Sequence, residues 1–373
     1  MTGRETPPFR ADHVGSLLRP AALRQAREKF AAGSISPVEL KAVEDGAIRE
    51  VVQLQQAAGL RSATDGEFRR ASWHMDFIYA LQGIGQSDEK IHVKFHNAAG
   101  DLEWSPAGLK VHDKVGLGET IFGEHFSFLK SIVEPGITPK QTIPSPSMVY
   151  YRGGRAAVST DVYPELDDFY DDLAAAYAKE IAAMAELGCT YLQLDDTSLA
   201  YLNDPAQREL VASMGGDPDQ QHVRNIRTMN AALAGRPEGL TVTTHLCRGN
   251  FRSSWVASGG YDFVADALFN DLNVDGYFLE FDDERSGGFE PLRFLPKGKH
   301  VVLGLVTTKR GELETVDDLR RRIDEAAKFA DLDQLCLSGQ CGFSSTEEGN
   351  DLTIDEQKAK LERIVETAAL VWG

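Results

Sequence analysis

His245 and Cys247 stand two residues apart in the run TVTTHLCRGNF, at the end of an apolar stretch. On a β-strand, residues two apart point to the same face, so an imidazole nitrogen and a thiolate reach one metal ion without bending the backbone. Such a pair is half of a zinc site. Acceptable partners occur later in the chain, Glu280 in LEFDDERSG and Cys341 in LSGQCGF. Asp282 shares a strand face with Glu280 and Asp283 lies beside it, so spacing alone does not choose among the three carboxylates. Cys189 follows a helix stop and Cys336 lies inside an apolar strand, and both read as core.

The elements that must bring these groups together form a repeating pattern. From about residue 136 onward, short apolar runs alternate with amphipathic helical stretches, as in β-α units on a parallel sheet. Predicted strands cover residues 140–143, 191–195, 240–246, 277–281, 300–306 and 335–337. Two more lie upstream, at 9–14 and 62–65, with a long helical region, 37–58, between them. Leu166, Phe169, Leu173, Tyr177, Ile181, Met184 and Leu187 recur every three or four residues before Gly188, which marks a core-facing helix and its stop. Leu361, Ile364, Val365 and Ala368 repeat that pattern near the C-terminus.

Eight such units predict an α/β fold of the TIM (β/α)8 barrel type, and no GxGxxG or GxxxxGK[ST] loop supports a nucleotide-binding alternative. A barrel takes about 250 residues. The excess is placed in an insertion after the second strand, residues 82–135, where IHVKFHNAAGDLEWSPAGLKVHDKVGLGE alternates and turns like an antiparallel excursion. The chain, residues 1–373, is then one barrel domain. In such a barrel, functional groups sit at the C-terminal ends of strands. Those ends read HVGS at 13–16, DGEF at 65–68, QLDD at 193–196, THLC at 244–247, LEFDD at 279–283 and SGQC at 338–341. His245, Cys247, Glu280 and Cys341 then converge from three strand ends as a four-ligand set.

Bulk composition narrows the partners. The formal net charge of -18 argues against nucleic acid and anionic membranes, and 42% hydrophobic with 26% charged residues is ordinary for a globular protein. Four scattered cysteines do not form a disulfide framework, and the N-terminus has no apolar leader. A cytoplasmic protein is expected, with small-molecule partners and room for a homo-oligomer.

The segments HVGS, DGEF, QLDD, THLCRGNF, LEFDDERSG and LSGQCGF, in this order, resemble the C-terminal catalytic barrel of cobalamin-independent methionine synthase, and more closely its short single-barrel relatives. The resemblance covers almost the whole chain and implies a zinc-dependent methyl transfer to homocysteine, giving methionine, from 5-methyltetrahydrofolate or a simpler methyl donor. It implies His245, Cys247, Glu280 and Cys341 as zinc ligands. It further implies Val14, Gly15 and Ser16 as the loop that holds the amino acid carboxylate, and Glu67 and Asp195 as the acids that hold its ammonium. The residue types suit those tasks, because carboxylates accept charge-assisted hydrogen bonds from an amine, while backbone N–H groups and a serine suit a carboxylate.

The chain departs from the synthases after the seventh strand. Where they carry a histidine, thought to protonate the donor's leaving group, this chain reads GLVTTKRGELE, and Lys309 stands near that position. Lysine serves as an acid at neutral pH only when desolvation lowers its pKa. The tryptophan expected to stack on a pterin is replaced in IPSPSMVYYRGG by Tyr150, Tyr151 or Arg152, and Trp73 and His74 are candidates to line the donor side. Two other readings keep a zinc ion: an enzyme like the epoxyalkane:coenzyme M transferases, and a binding protein with a structural zinc. Coenzyme M has no amine, which would leave Glu67 and Asp195 without a purpose.

Overall fold

The computed structural model describes residues 4–97, 100–151 and 153–373. Its strands are β1 (Ser62–Ala63), β2 (Gln82–Lys90), β3 (Val93–Asn97), β4 (Gly100–Trp104), β5 (Ala107–Gly116), β6 (Thr138–Pro139), β7 (Gln141–Pro144), β8 (Tyr191–Asp196), β9 (Thr241–Leu246), β10 (Gly276–Glu280), β11 (His300–Val306) and β12 (Leu335–Gly339). The last six form one parallel sheet in which each strand pairs with its neighbours in sequence. Every residue of β7, β8, β10 and β12 is buried. That is the condition of parallel strands covered on both faces, although β7 and β8 bury polar residues as well, Gln141, Thr142, Gln193, Asp195 and Asp196.

Helices supply the cover. Leu166–Glu186 buries Phe169, Leu173, Tyr177, Ile181 and Met184, the stripe read from the sequence. Pro37–Ala57 and Ile354–Trp372 each begin with a reciprocal capping box, Ser36 with Glu39 and Thr353 with Glu356. These helices bury Ile48, Val51 and Val52 in one case and Leu361, Ile364 and Ala368 in the other. Each fully buried Leu or Ile is worth about 1.5–3 kcal/mol, so the packed stripe outweighs helix propensity. No helix among the described residues is long and apolar enough to cross a membrane.

Two predicted strands differ. Residues 9–14 form no ladder beyond a parallel bridge between Ala11 and Leu337, flanked by Asp12 N–H donating to the Leu337 carbonyl and Leu337 N–H to that of Arg10. The reason is local: the Asp12 carboxylate accepts the N–H groups of Phe9 (3.1 Å) and His13 (2.8 Å), drawing backbone donors out of strand pairing. The predicted strand at 140–143 is longer and serves two neighbours, because β6 pairs with β1 while β7 pairs with β8.

Between β1 and β6 lie two antiparallel pairs, β2 with β5 and β3 with β4, followed by a helix, Gly123–Ile132. The β3 hairpin is tied back to the loop after β9. His96 N–H donates to the Trp255 carbonyl at 2.6 Å and Trp255 N–H returns to His96 at 2.9 Å.

Candidate active site

β9 ends in His245 and Leu246, and Cys247 follows while its N–H still donates to the Asp196 carbonyl of β8 (3.0 Å). That continuation holds His245 and Cys247 on one face. β12 ends at Gly339, and Cys341 follows. The ligand atoms of His245, Cys247 and Cys341 lie within 4.8 Å of one another, and all three residues are buried. The two sulfurs are 3.2 Å apart. His245 Nδ1 faces the Phe278 carbonyl at 3.3 Å, which leaves Nε2 buried with no hydrogen-bond partner. An orphaned imidazole nitrogen beside two thiols is what a soft divalent metal would satisfy, so the residues fit zinc. Burial alone would lower the His245 pKa, but its interactions with Cys247, Asp195 and Glu280 outweigh that and raise it. The Cys247 thiol is pushed well up by its hydrogen bond with Cys341 and by burial.

Glu280 is not among these three. It ends β10, next to β9, and its Oε1 lies 2.6 Å from the Arg285 guanidinium and 3.8 Å from Lys309 Nζ. Its Oε2 accepts Arg248 N–H at 3.1 Å. Burial would raise its pKa, yet Lys309, Arg285 and Arg248 hold it down at about 2. Asp282, also near Arg285 at 3.7 Å, is pushed up to about 6 by burial and by the Glu280 charge. Asp283 is 3.5 Å from the same guanidinium. Lys309 is raised, because Glu280 and Asp282 overcome the burial that would otherwise lower it. Desolvation does not make it a stronger acid here.

On the other flank, β8 presents Asp195, the register partner of His245. Its Oδ1 accepts from Gln193 Nε2 at 2.7 Å, and burial raises it to about 7 despite His245, with Glu67 adding to the rise. Glu67 sits in the DGEF turn with φ 61, a left-handed conformation unusual outside glycine. Its Oε1 accepts from Thr142 Oγ1 at 2.8 Å and lies 3.5 Å from Arg70, while its Oε2 is buried without a partner. Burial raises Glu67 as well.

Gly15 has φ 143, and a Cβ there would meet Thr142 Cγ2 at 2.7 Å and approach Glu67 Oε1 at 3.5 Å. Only glycine lets this loop pass so close to the acid. Gly342 is equally constrained, since a Cβ would fall 1.9 Å from Ser16 Oγ. Arg19, which sequence reasoning passed over, clamps these loops by donating to the carbonyls of Ser344, Thr346, Glu67 and Arg70. Asn250 of the THLCRGNF run donates to the Gly342 carbonyl at 2.8 Å and so links the two cysteine loops.

Val14, Ser16, Glu67, Asp195, His245, Cys247 and Cys341 line one pocket with an empty volume of about 590 Å³. Gly15, Glu280 and Lys309 are outside its lining. Trp73 lines it and stacks on His74 with centroids 4.3 Å apart, but Tyr150 and Tyr151 face other cavities, and Arg152 lies outside the described residues. The missed lining residues include Phe95 and Trp104 from the β3 hairpin, Phe251, Thr197 and Tyr201. Alternation in residues 82–135 predicted strands there and carried no signal of where they would dock.

Residues 9–369 match the catalytic domain of the cobalamin-independent synthases, and the chain belongs to that family. It is 47% identical to YxjH of Bacillus subtilis, an uncharacterized protein, over 98% of this chain and 95% of that one. It is 26% identical to the methionine synthase of Pyrococcus abyssi, over 91% and 87% of the two chains. Among solved structures, a Listeria monocytogenes protein provisionally assigned as a vitamin-B12-independent methionine synthase is 36% identical, with a TM-score of 0.78 over 98% of both chains. The B12-independent methionine synthase of Shewanella sp. W3-18-1, solved with selenomethionine, shares the α/β fold at 20% identity, with a TM-score of 0.71 over 97% of each chain. Family membership supports a methyltransferase role acting on small molecules.

Proposed function

We propose that this chain is a zinc-dependent methyltransferase that moves a methyl group to the sulfur of homocysteine, giving methionine. The carrying observation is that His245, Cys247 and Cys341 share one pocket with Glu67 and Asp195. His245, Cys247 and Cys341 would hold the metal, with Glu280 as a fourth ligand that exchanges Arg285 for it. A bound zinc supplies a lowered thiol pKa, and hence a thiolate nucleophile at neutral pH.

The chain's own residues do the rest. Glu67 Oε2 and Asp195 accept the substrate ammonium, whose charge compensates two buried carboxylates that burial otherwise pushes toward protonation. Val14, Gly15 and Ser16 receive the carboxylate. A sulfonate-bearing thiol such as coenzyme M would meet acids where it needs a cation, so the pocket favours an amino thiol over the epoxide-opening reading. Lys309 acts as a charge partner of Glu280, not as proton donor. The scaffold for this chemistry is a single closed (β/α)8 barrel, in which the 9–14 segment bridges β12 and the 82–135 stretch is an insertion after β1.

The direct test is zinc X-ray absorption on the purified protein with and without homocysteine. One zinc per chain and a gain of one sulfur neighbour on adding homocysteine are expected. An unchanged coordination shell with homocysteine, alongside a changed one with another thiol, would remove this assignment.

A further inference from the structure

The pocket that holds the two cysteines has an unusual charge balance. Three carboxylate residues line it, Glu67, Asp195 and Asp196, and no lysine or arginine does so among the described residues. Asp196 is committed to the fold, since its oxygens accept from Ser145, Ser147, Ser198 and the Leu199 N–H. Aromatic residues share the wall with neutral ones such as Thr197, Asn250, Ser345 and Thr346. Trp73, Phe95, Trp104 and Phe251 all face the same space. Phe95 and Phe251 have centroids 5.3 Å apart, Trp104 and Phe251 6.2 Å, and His74 bridges Trp73 (4.3 Å) to Trp104 (5.9 Å). The hairpin that carries Phe95 and Trp104 is held in place by the paired hydrogen bonds of His96 with Trp255.

Aromatic faces gathered around a space without basic side chains are the recognised chemistry of methylated cations, because ring quadrupoles attract an onium group that cannot donate hydrogen bonds. A polyanionic donor would find no countercharge in this lining, and the net charge of -18 repels it further. Building on the homocysteine reading above, we propose that the methyl donor is a small methylsulfonium compound held by Trp73, Phe95, Trp104 and Phe251.

The chemistry balances without a proton donor. The homocysteine sulfur, its proton lost to solvent, attacks the methyl carbon, and the new carbon–sulfur bond forms as the sulfonium S–CH3 bond breaks. The bonding pair stays on the donor sulfur, which departs as a neutral thioether. Departure is favoured in turn, since a neutral product has lost the cation–π attraction that held the donor.

Two measurements test this on the zinc-loaded protein. Tryptophan fluorescence is titrated with trimethylsulfonium chloride, with tert-butanol as a neutral compound of similar size. Saturable quenching by the cation and none by the alcohol is expected. Trp104→Leu should weaken the cation at least about 10-fold and Trp104→Phe less, with circular dichroism confirming that both variants fold. In parallel, methionine is measured from homocysteine with S-methylmethionine, dimethylsulfonioacetate and mono- and triglutamyl methyltetrahydrofolate. The sulfonium donors should exceed the folates at least about 10-fold in kcat/KM, each transfer giving one methionine and one methylthioacetate from dimethylsulfonioacetate, and two methionines from S-methylmethionine, whose demethylated product is itself methionine. Methionine from the folates alone, or no saturable binding of trimethylsulfonium, overturns the donor assignment and leaves homocysteine as acceptor. Cation binding with no methionine from any donor overturns the homocysteine reading and keeps the cation site.

Discussion

Two buried carboxylate regions stand on either side of His245, on the strands that flank it, and they have opposite charge balance. On the β10 side, Glu280 has Arg285, Lys309 and the Arg248 N–H around it, and its pKa is held at about 2. On the β8 side, Asp195 accepts from the Gln193 amide and has no arginine paired to it among the described residues; burial raises it to about 7, although His245 and Lys140 act to lower it. Burial acts the same way on both; the number of cations within reach separates them. A carboxylate rich in cations can give its charge to a metal, because its former partners stay neutralised by Asp282 and Asp283. A carboxylate poor in cations can be completed by a substrate that brings one.

Breaking the metal side should have the largest effect. Cys341→Ser and His245→Ala are expected to reduce zinc from about one per chain to near zero and to lower methionine formation more than about 100-fold, beyond what loss of a partner outside the ligand set costs. Metal analysis checks it, and full zinc retention by both variants would dissolve the proposed division. Next come Asp195→Asn and Glu67→Gln. Each removes a charged hydrogen bond worth about 1.5–3 kcal/mol, so kcat/KM for homocysteine should drop about 10- to 100-fold while zinc content stays constant. Zinc loss in Asp195→Asn would mean that the β8 acid serves the metal.

Smaller effects sharpen the β10 side. Lys309→Met should lower kcat less than about 10-fold, whereas a general acid would cost about 10²–10⁴ and reshape the pH profile. Asp282 carries a raised pKa, about 6 against 3.8, so the stability tied to its protonated form is complete below about 3.8 and lost as pH rises through about 6. Asp282→Asn should therefore melt a few degrees above the wild type at pH 8, with the gap closing by pH 4. A gap that widens on acidification would reverse the sign assigned to the Glu280 charge.

Much of this was legible in residue order. The Leu166–Glu186 and Ile354–Trp372 helices, the six strands from β7 to β12 and the His245, Cys247 and Cys341 group follow from apolar period, from parity along a strand and from ligand chemistry. The 9–14 segment failed as a strand because one side chain, Asp12, competed for its backbone donors, which period-two patterning does not register. Tyr150 and Tyr151 failed as pocket aromatics because burial says nothing about which cavity a ring faces.

The sequence by itself determined the local matters: which stretches are helix or strand, and which side chains have the chemistry to bind a metal or an amine. Those depend on periodicities of a few residues and on functional groups that do not change with context. Only the tertiary structure decided which carboxylate is rich in cations, that Lys309 is raised rather than lowered, and that Phe95 and Trp104 line the same pocket as the cysteines. Charge balance and desolvation are set by neighbours brought together across the fold, such as Arg248 and Arg285 around Glu280, or a hairpin near residue 96 docked on a loop near residue 255.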